Sequence, residues 1–160
     1  MARYEADLGR VLLLSHFIPL VMSSGGNSGS QATSLIIRAM ALGEVTVGDW
    51  WRVVLREFPA GIILGLLLGA IAFARILVWN AMGLYDYGPY SFMIALTVGL
   101  ALVGIVLVGS ITGSMLPFLL KRFNFDPASA SAPLVATLVD VSAISIYFGI
   151  AYALLSGTLL

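Results

Sequence analysis

The chain has 160 residues, of which 60% are hydrophobic and only 10% are charged. Average soluble domains carry about 25% charged residues, and a chain this short cannot bury so much apolar surface, so the composition excludes a soluble domain or a disordered chain. Eight basic residues balance eight acidic ones, which argues against a nucleic-acid partner, and the absence of cysteine excludes disulfides and thiolate metal sites.

Four apolar stretches are long enough to cross a membrane, since a span needs about 20 mainly apolar residues. We therefore predict an all-α transmembrane fold with four spans, at residues 8–42, 53–79, 91–120 and 127–155. The first span is interrupted by glycines and serines, so we expect one long, broken helix there. Turn-forming and charged residues collect in the connecting segments, which are 43–51, 80–90 and 121–126.

Lysine and arginine positions orient these spans. Three basic residues lie on one side, at Arg3, Arg10 and Arg75, whereas five flank the first and third connecting segments, at Arg38, Arg52, Arg56, Lys121 and Arg122. The positive-inside rule then predicts a multi-pass protein of the cell (inner) membrane, with segments 43–51 and 121–126 in the cytoplasm and both termini outside.

Glycine recurs at every fourth position in the second and third spans. The series are Gly61, Gly65 and Gly69 in the second span, and Gly109 and Gly113 in the third. Such spacing lines one face of a helix with small residues and lets another helix approach closely. We interpret these glycines as helix-packing positions that do not line a pore.

The glycine- and serine-rich segment 23–31 is the first polar feature at membrane depth. Unwound backbone there would expose carbonyl oxygens, which are hard ligands suited to Mg²⁺, Ca²⁺ or Na⁺. A phosphate-binding loop would need a lysine after its glycines, and none follows. A kinked helix packed on its neighbours is the structural alternative.

Asp140 is the second feature, because it lies near the middle of the fourth span. A carboxylate at that depth costs about 2.5–3.5 kcal/mol on insertion scales, and such residues usually mark ion routes. It either binds a cation, takes up a proton or pairs with a group of another subunit. Pro133, Ala136 and Thr137 share its helix face, with spacings of i, i+3, i+4 and i+7.

That face offers oxygen ligands only, namely the carboxylate of Asp140, the hydroxyl of Thr137 and a backbone carbonyl. The carbonyl is that of Ser129, which Pro133 leaves without its helical donor. Oxygen-only sites suit hard cations rather than zinc or copper. One carboxylate holds a divalent ion weakly, whereas two copies related by a two-fold axis would supply two negative charges. We therefore expect a homodimer in which Mg²⁺ is held largely hydrated, since this ion sheds water reluctantly.

These residues resemble the MgtE family of Mg²⁺ channels and transporters. The resemblance rests on the pattern G-G-N-x-G-x-Q within 19–39, on 113–118, and on P-L-V-A-T-L-x-D ending at Asp140. It implies a dimeric pore lined by the broken helix and the Asp140 helix, with Mg²⁺ as the transported ion. By resemblance, hydrated Mg²⁺ is held by Asp140 beside the backbone carbonyls of Ala136, Gly26 and Ser23. The pore lining then includes Asn27, Pro133 and Thr137, and Asp126 is the gating residue at the cytoplasmic mouth.

The resemblance also implies parts that residues 1–160 do not contain. Family members usually have five spans, preceded by a cytoplasmic regulatory domain and a nucleotide-binding CBS pair. We therefore expect 1–160 to be a single transmembrane ion-permeation domain, equivalent to the family's bundle minus its first span. No cytoplasmic regulatory or CBS domain is expected within this chain, although the full-length protein should have one.

Three functions agree with the sequence. The leading hypothesis is channel-like, passive transport of Mg²⁺, because no ATP-binding motif is present. The alternative is a proton-coupled cation transporter in which Asp140 titrates. The third is a structural membrane subunit whose Asp140 pairs with a partner. An enzyme is not expected, because we find no nucleophile–base pair: the only histidine, His16, lies far from Asp140 in the sequence.

Overall fold

The computed structural model describes residues 13–156, and for 129–132 it describes the backbone only. This part of the chain is helical and contains no strand. Its four long helices are α1 (Ile18–Ala41), α2 (Trp50–Ala81), α3 (Ser91–Arg122) and α4 (Pro127–Leu155). Short 3₁₀ turns, Val47–Asp49 and Gly88–Tyr90, lead into α2 and α3. The predicted all-α class is thus confirmed for the described residues.

Within residues 13–156, three segments are long and apolar enough to cross a membrane, namely Val47–Ala81, Gly88–Arg122 and Pro133–Leu155. Helix α1 is the fourth long helix, with 24 residues and many polar side chains. The predicted first span is corrected at its start, because a turn at 16–17 separates residues 13–15 from α1. Pro19 lies in the first turn of α1, where no backbone donor is needed. Arg3 and Arg10, used for orientation, lie outside the described residues.

The predicted break in the first helix is wrong, because α1 continues without interruption through 23–31. Two of its hydroxyl groups bond within the helix: Ser24 Oγ donates to the Leu20 carbonyl at 2.7 Å and Ser34 Oγ to the Ser30 carbonyl at 2.9 Å. Glycine and serine are poor helix formers in isolation, but packing on neighbouring helices offsets that weakness. The alternative of a helix packed on its neighbours therefore describes this segment.

Helices α1 and α3 meet at backbone distance. A Cβ atom added to Gly109 would lie 2.5 Å from the carbonyl oxygen of Gly25, and one added to Gly113 would overlap the carbonyl of Gly29. The buried Thr33 Oγ1 lies 2.8 Å from two carbonyl oxygens, those of Gly29 and Gly113, and its hydroxyl links the two helices. The packing role predicted for Gly109 and Gly113 is confirmed.

The second glycine series packs α2 on α3. A Cβ atom at Gly65 would lie 2.8 Å from Val103 Cα, and one at Gly69 would lie 2.6 Å from the carbonyl oxygen of Gly99. Packing through these glycines therefore agrees with the prediction. The opposite face of α2 exposes large apolar side chains, including Ile63, Leu67 and Ile71. In a membrane that face is the one that lipid tails would contact.

Aromatic side chains tie the connecting segment 82–90 to the start of α1. Phe17 stacks on Tyr87 with ring centroids 6.1 Å apart, and the ring centroids of Tyr85 and Tyr87 are 4.6 Å apart. Tyr147 of α4 is 1% exposed, and its hydroxyl donates to the carbonyl of Leu14 at 2.8 Å. This end of the bundle is therefore closed by both packing and a buried hydrogen bond.

Replacing Tyr147 by phenylalanine should lower the thermal stability of the detergent-purified protein. The variant removes one of two donors to the carbonyl of Leu14, which still accepts from the Phe17 amide at 3.1 Å, so the cost is that of one hydrogen bond, about 0.5–1.5 kcal/mol. The matched control is Tyr152→Phe on the same helix, because Tyr152 is 70% exposed. Equal unfolding temperatures for the two variants would contradict the assigned role of the Tyr147 hydroxyl.

Candidate cation site

The contact between α1 and α4 determines where Asp140 lies. Val135 and Val139 of α4 are buried and pack onto glycines of α1. A Cβ atom would lie 2.8 Å from Val135 Cγ1 if added to Gly29, and 2.9 Å from Val139 Cγ1 if added to Gly25. Asp140 directly follows Val139, and successive residues are rotated by about 100° around the helix axis. Its side chain therefore lies at the edge of this contact and not inside it.

Asp140 lies beside Gly26. A Cβ atom added to Gly26 would be 3.8 Å from Asp140 Oδ1, so glycine leaves open space next to the carboxylate. The side chain is partly exposed, and within the described part of the chain it makes no hydrogen bond or ion pair. The structure thus brings together two predicted site residues from different helices.

A polar stripe runs along the exposed face of α1 from this point. We use that name for Ser23, Asn27, Ser30, Gln31 and Ser34, which recur at helical spacing. Asn27 Nδ2 donates to Ser23 Oγ at 3.3 Å. The far part of the stripe lines an open groove of about 480 Å³. Amide and hydroxyl oxygens along such a face can accept hydrogen bonds from the water shell of a cation.

Sequence reasoning missed Gln31 and Ser34 as members of this face. The available signal was their spacing, since both follow Asn27 at i+4 and i+7. That spacing was obscured by the prediction of a broken helix, which has no regular faces. The carbonyls of Ser23 and Gly26 lie in a continuous helix, so each faces the backbone donor one turn ahead. Their role beside Mg²⁺ stays a prediction.

The second wall comes from α4, where Pro133 and Thr137 are exposed and Ala136 is partly exposed. Thr137 Oγ1 donates to the carbonyl of Pro133 at 3.0 Å, which leaves the lone pairs of its oxygen available. The side chain of Ser129, one turn further back, lies outside the described residues. Oxygen atoms of α4 and of the polar stripe therefore border the Asp140 region from two helices.

Asp126 lies apart from this region. Its side chain accepts a hydrogen bond from the Ala128 amide at 3.0 Å and caps α4, with Pro127 following in the first turn. It also borders a cleft of about 190 Å³ together with Lys121 and Met40. Asp140 follows it by fourteen positions along the helix, or about 21 Å, so any gating role acts at a distance from that carboxylate. The gating role itself stays a prediction.

The described residues contain no group of three or more His, Cys, Asp or Glu side chains that could hold a dehydrated metal ion. A single carboxylate next to hydroxyl and amide groups instead suits a cation that keeps its water shell. Mg²⁺ behaves in this way, because it dehydrates reluctantly and keeps several waters in most sites. The geometry supports weak, transient binding, which permeation requires.

Comparison with known proteins finds relatives among divalent cation transporters. A family model described as MgtE, divalent cation transporter, matches residues 18–150. The magnesium transporter MgtE of Thermus thermophilus is 40% identical over 152 residues, which are 95% of this chain and 32% of that protein. The Bacillus subtilis magnesium transporter MgtE is 31% identical over 94% of this chain and 31% of its own length. The magnesium transporter MgtE of Enterococcus faecalis is 28% identical over 94% of this chain and 31% of its own length. The chain thus spans about a third of the length of these curated relatives.

Proposed function

Since the chain belongs to the MgtE family of divalent cation transporters, we propose that it forms the ion-permeation domain of a Mg²⁺ channel. The three relatives described above carry the name magnesium transporter, which supports Mg²⁺ as the transported ion. Membership of a transporter family also makes the chain part of a membrane transport protein and not an enzyme.

The observation that carries the proposal is the position of Asp140 beside Gly26. The carboxylate is accessible and engages no partner among the described residues. A charge kept at membrane depth without a partner in its own chain is costly unless an ion or water compensates it. Passing Mg²⁺ ions, held through their water shells, supply that compensation.

A homodimer completes the pore in this proposal. The polar stripe and the Asp140 face of α4 are exposed in one copy, and a second copy across a two-fold axis would enclose them. Two Asp140 carboxylates then balance one divalent charge. The carbonyls of Ser23, Gly26 and Ala136 would contact the water shell, and Asn27, Pro133 and Thr137 would line the wall.

The proposed orientation puts the basic end of the bundle in the cytoplasm. The basic end is the end of the bundle at which α1 and α3 finish and α2 begins. Its basic residues are Arg38, Arg52, Arg56, Lys121 and Arg122. It includes connecting segments 43–51 and 121–126, and Asp126 lies there as the proposed gating residue. A cytoplasmic regulatory domain of the full-length protein would dock at the same end. The membrane is then the cell (inner) membrane, with both termini outside.

Uptake of Mg²⁺ into liposomes containing the purified chain tests the proposal. An inside-negative potential of 100 mV favours entry of a divalent cation by about 4.6 kcal/mol, so a channel should fill the liposomes without any other energy source. We expect uptake to follow the imposed potential and to ignore an imposed pH gradient. Uptake that requires the pH gradient would favour the proton-coupled alternative, and no uptake under either condition would favour a structural subunit.

A further inference from the structure

A second cleft lies at the basic end of the bundle, between the start of α2 and the end of α3. It holds about 230 Å³ and is lined by Val47, Trp50, Met115, Phe118, Leu119 and Arg122. Its floor is preformed, since Phe118 is 5% exposed and packs with Met115 in one cluster with Val53. The cleft therefore does not depend on a ligand to open.

The wall formed by the start of α2 is fixed by a local hydrogen-bond network. Asp49 Oδ2 accepts from the Thr46 amide at 2.9 Å and from Thr46 Oγ1 at 2.6 Å, and Arg52 lies 3.7 Å from Asp49 Oδ1. This capping box holds Val47 and Trp50 against the cleft. The same network occupies the carboxylate of Asp49, which does not line the cleft and does not pair with Arg122.

Arg122 is the one charged residue of the cleft lining, and within residues 13–156 it has no ion pair. The larger cleft of the same end differs, because Arg38 and Arg56 share it with Glu44 and Glu57. An apolar floor with a guanidinium at its rim is an amphipathic site. Its level is that of the membrane boundary, since Trp50 and Trp51 beside it are 49% and 55% exposed, as interfacial tryptophans are.

We propose that this cleft binds an anionic phospholipid from the leaflet at the basic end of the bundle. One acyl chain lies on Met115, Phe118 and Leu119, and the phosphate accepts hydrogen bonds from the Arg122 guanidinium, which suits phosphate geometry. A headgroup with a net negative charge is preferred, because Arg122 attracts it and no acidic side chain of the cleft lining repels it. This site is separate from Asp140 and does not rest on the proposed transport function.

Native mass spectrometry of the purified chain tests the site. The probe is an equimolar mixture of palmitoyl-oleoyl phosphatidylglycerol and palmitoyl-oleoyl phosphatidylcholine, which share acyl chains and differ in headgroup charge. One arginine near the surface attracts anionic lipid by about 1 kcal/mol, so we expect about fivefold preferential retention of phosphatidylglycerol. Arg122→Gln should abolish this preference while phosphatidylcholine retention stays unchanged, and Arg122→Lys should keep most of it.

Two neighbouring basic residues, Lys121 and Arg52, provide the matched controls. Lys121 does not line this cleft and Arg52 is paired with Asp49, so Lys121→Gln and Arg52→Gln should retain the preference. Equal retention of both lipids by the unmodified chain would overturn the proposal. So would a preference that all three glutamine variants lose to the same degree, because surface charge alone would then explain it. A dimer that retains neither lipid would mean that a second copy covers the cleft, which also overturns it.

Discussion

Replacing Gly113 by alanine should separate α1 from α3 and produce the largest loss of stability of any glycine-to-alanine change among the described residues. The added Cβ would overlap the carbonyl of Gly29, which is backbone and cannot rotate away. Overpacking in a rigid contact costs about 1–3 kcal/mol and sometimes more, and here the Thr33 hydrogen bond to the Gly113 carbonyl is strained as well. The measurement is the unfolding temperature of the detergent-purified variant, which should fall sharply.

Gly149→Ala is the control for that substitution. Gly149 also lies within a long helix, but a Cβ added there meets nothing within 4 Å. Alanine is favoured over glycine in a helix by about 0.5–1 kcal/mol, so this variant should be as stable as the unmodified chain or slightly more stable. A Gly113→Ala protein that unfolds at the same temperature as Gly149→Ala would show that the α1–α3 contact is looser than described.

Replacing Gly26 by valine should reduce Mg²⁺ uptake by about tenfold or more while leaving the fold intact. The Cβ position lies 3.8 Å from Asp140 Oδ1, which is ordinary contact, so the first atom of the new side chain meets no clash. Its methyl groups would nevertheless displace water beside the carboxylate, and losing about 1.4 kcal/mol of ion stabilisation there corresponds to a tenfold change. Liposome uptake and unfolding temperature measured on the same preparation separate the two effects.

Gly149→Val provides the matched control, because it adds the same side chain at an open position of α4. It should leave uptake unchanged. Uptake by Gly26→Val at the unmodified rate would mean that ions do not pass this side of Asp140. A large drop in the unfolding temperature of Gly26→Val would contradict the open space described at Gly26.

The residues proposed for the site could be singled out from the sequence because they are of types that are rare at membrane depth. Asp140 stands out in the fourth span, and the motif containing Gly26 and Asn27 carries the resemblance to the MgtE family, which the comparisons confirm. The packing glycines at Gly109 and Gly113 also form a local pattern with known geometry. Each of these predictions needed only the identity and spacing of nearby residues.

The conformation of segment 23–31 could not be predicted in the same way. Its composition weakens an isolated helix, and that local preference suggested unwinding. The deciding contacts are distant in sequence, since Gly25 and Gly29 fit against Gly109, Val135 and Val139. A glycine that loosens a helix alone thus permits a close tertiary contact that maintains it. Because the helix is regular, its faces are defined, and Gln31 and Ser34 join the polar stripe.

Mg²⁺ uptake by Asp140→Asn liposomes tests the central claim most directly. Asparagine keeps the shape of the side chain and removes the charge, and losing the charged partner of a bound ion typically costs about 2 kcal/mol or more. Voltage-driven uptake should therefore fall about thirtyfold or more, while Asp86→Asn, in connecting segment 80–90, should behave as the unmodified chain. The unfolding temperature of Asp140→Asn should not fall, because a charge at membrane depth is costly. Unchanged uptake by a folded Asp140→Asn protein would contradict a cation route through this carboxylate.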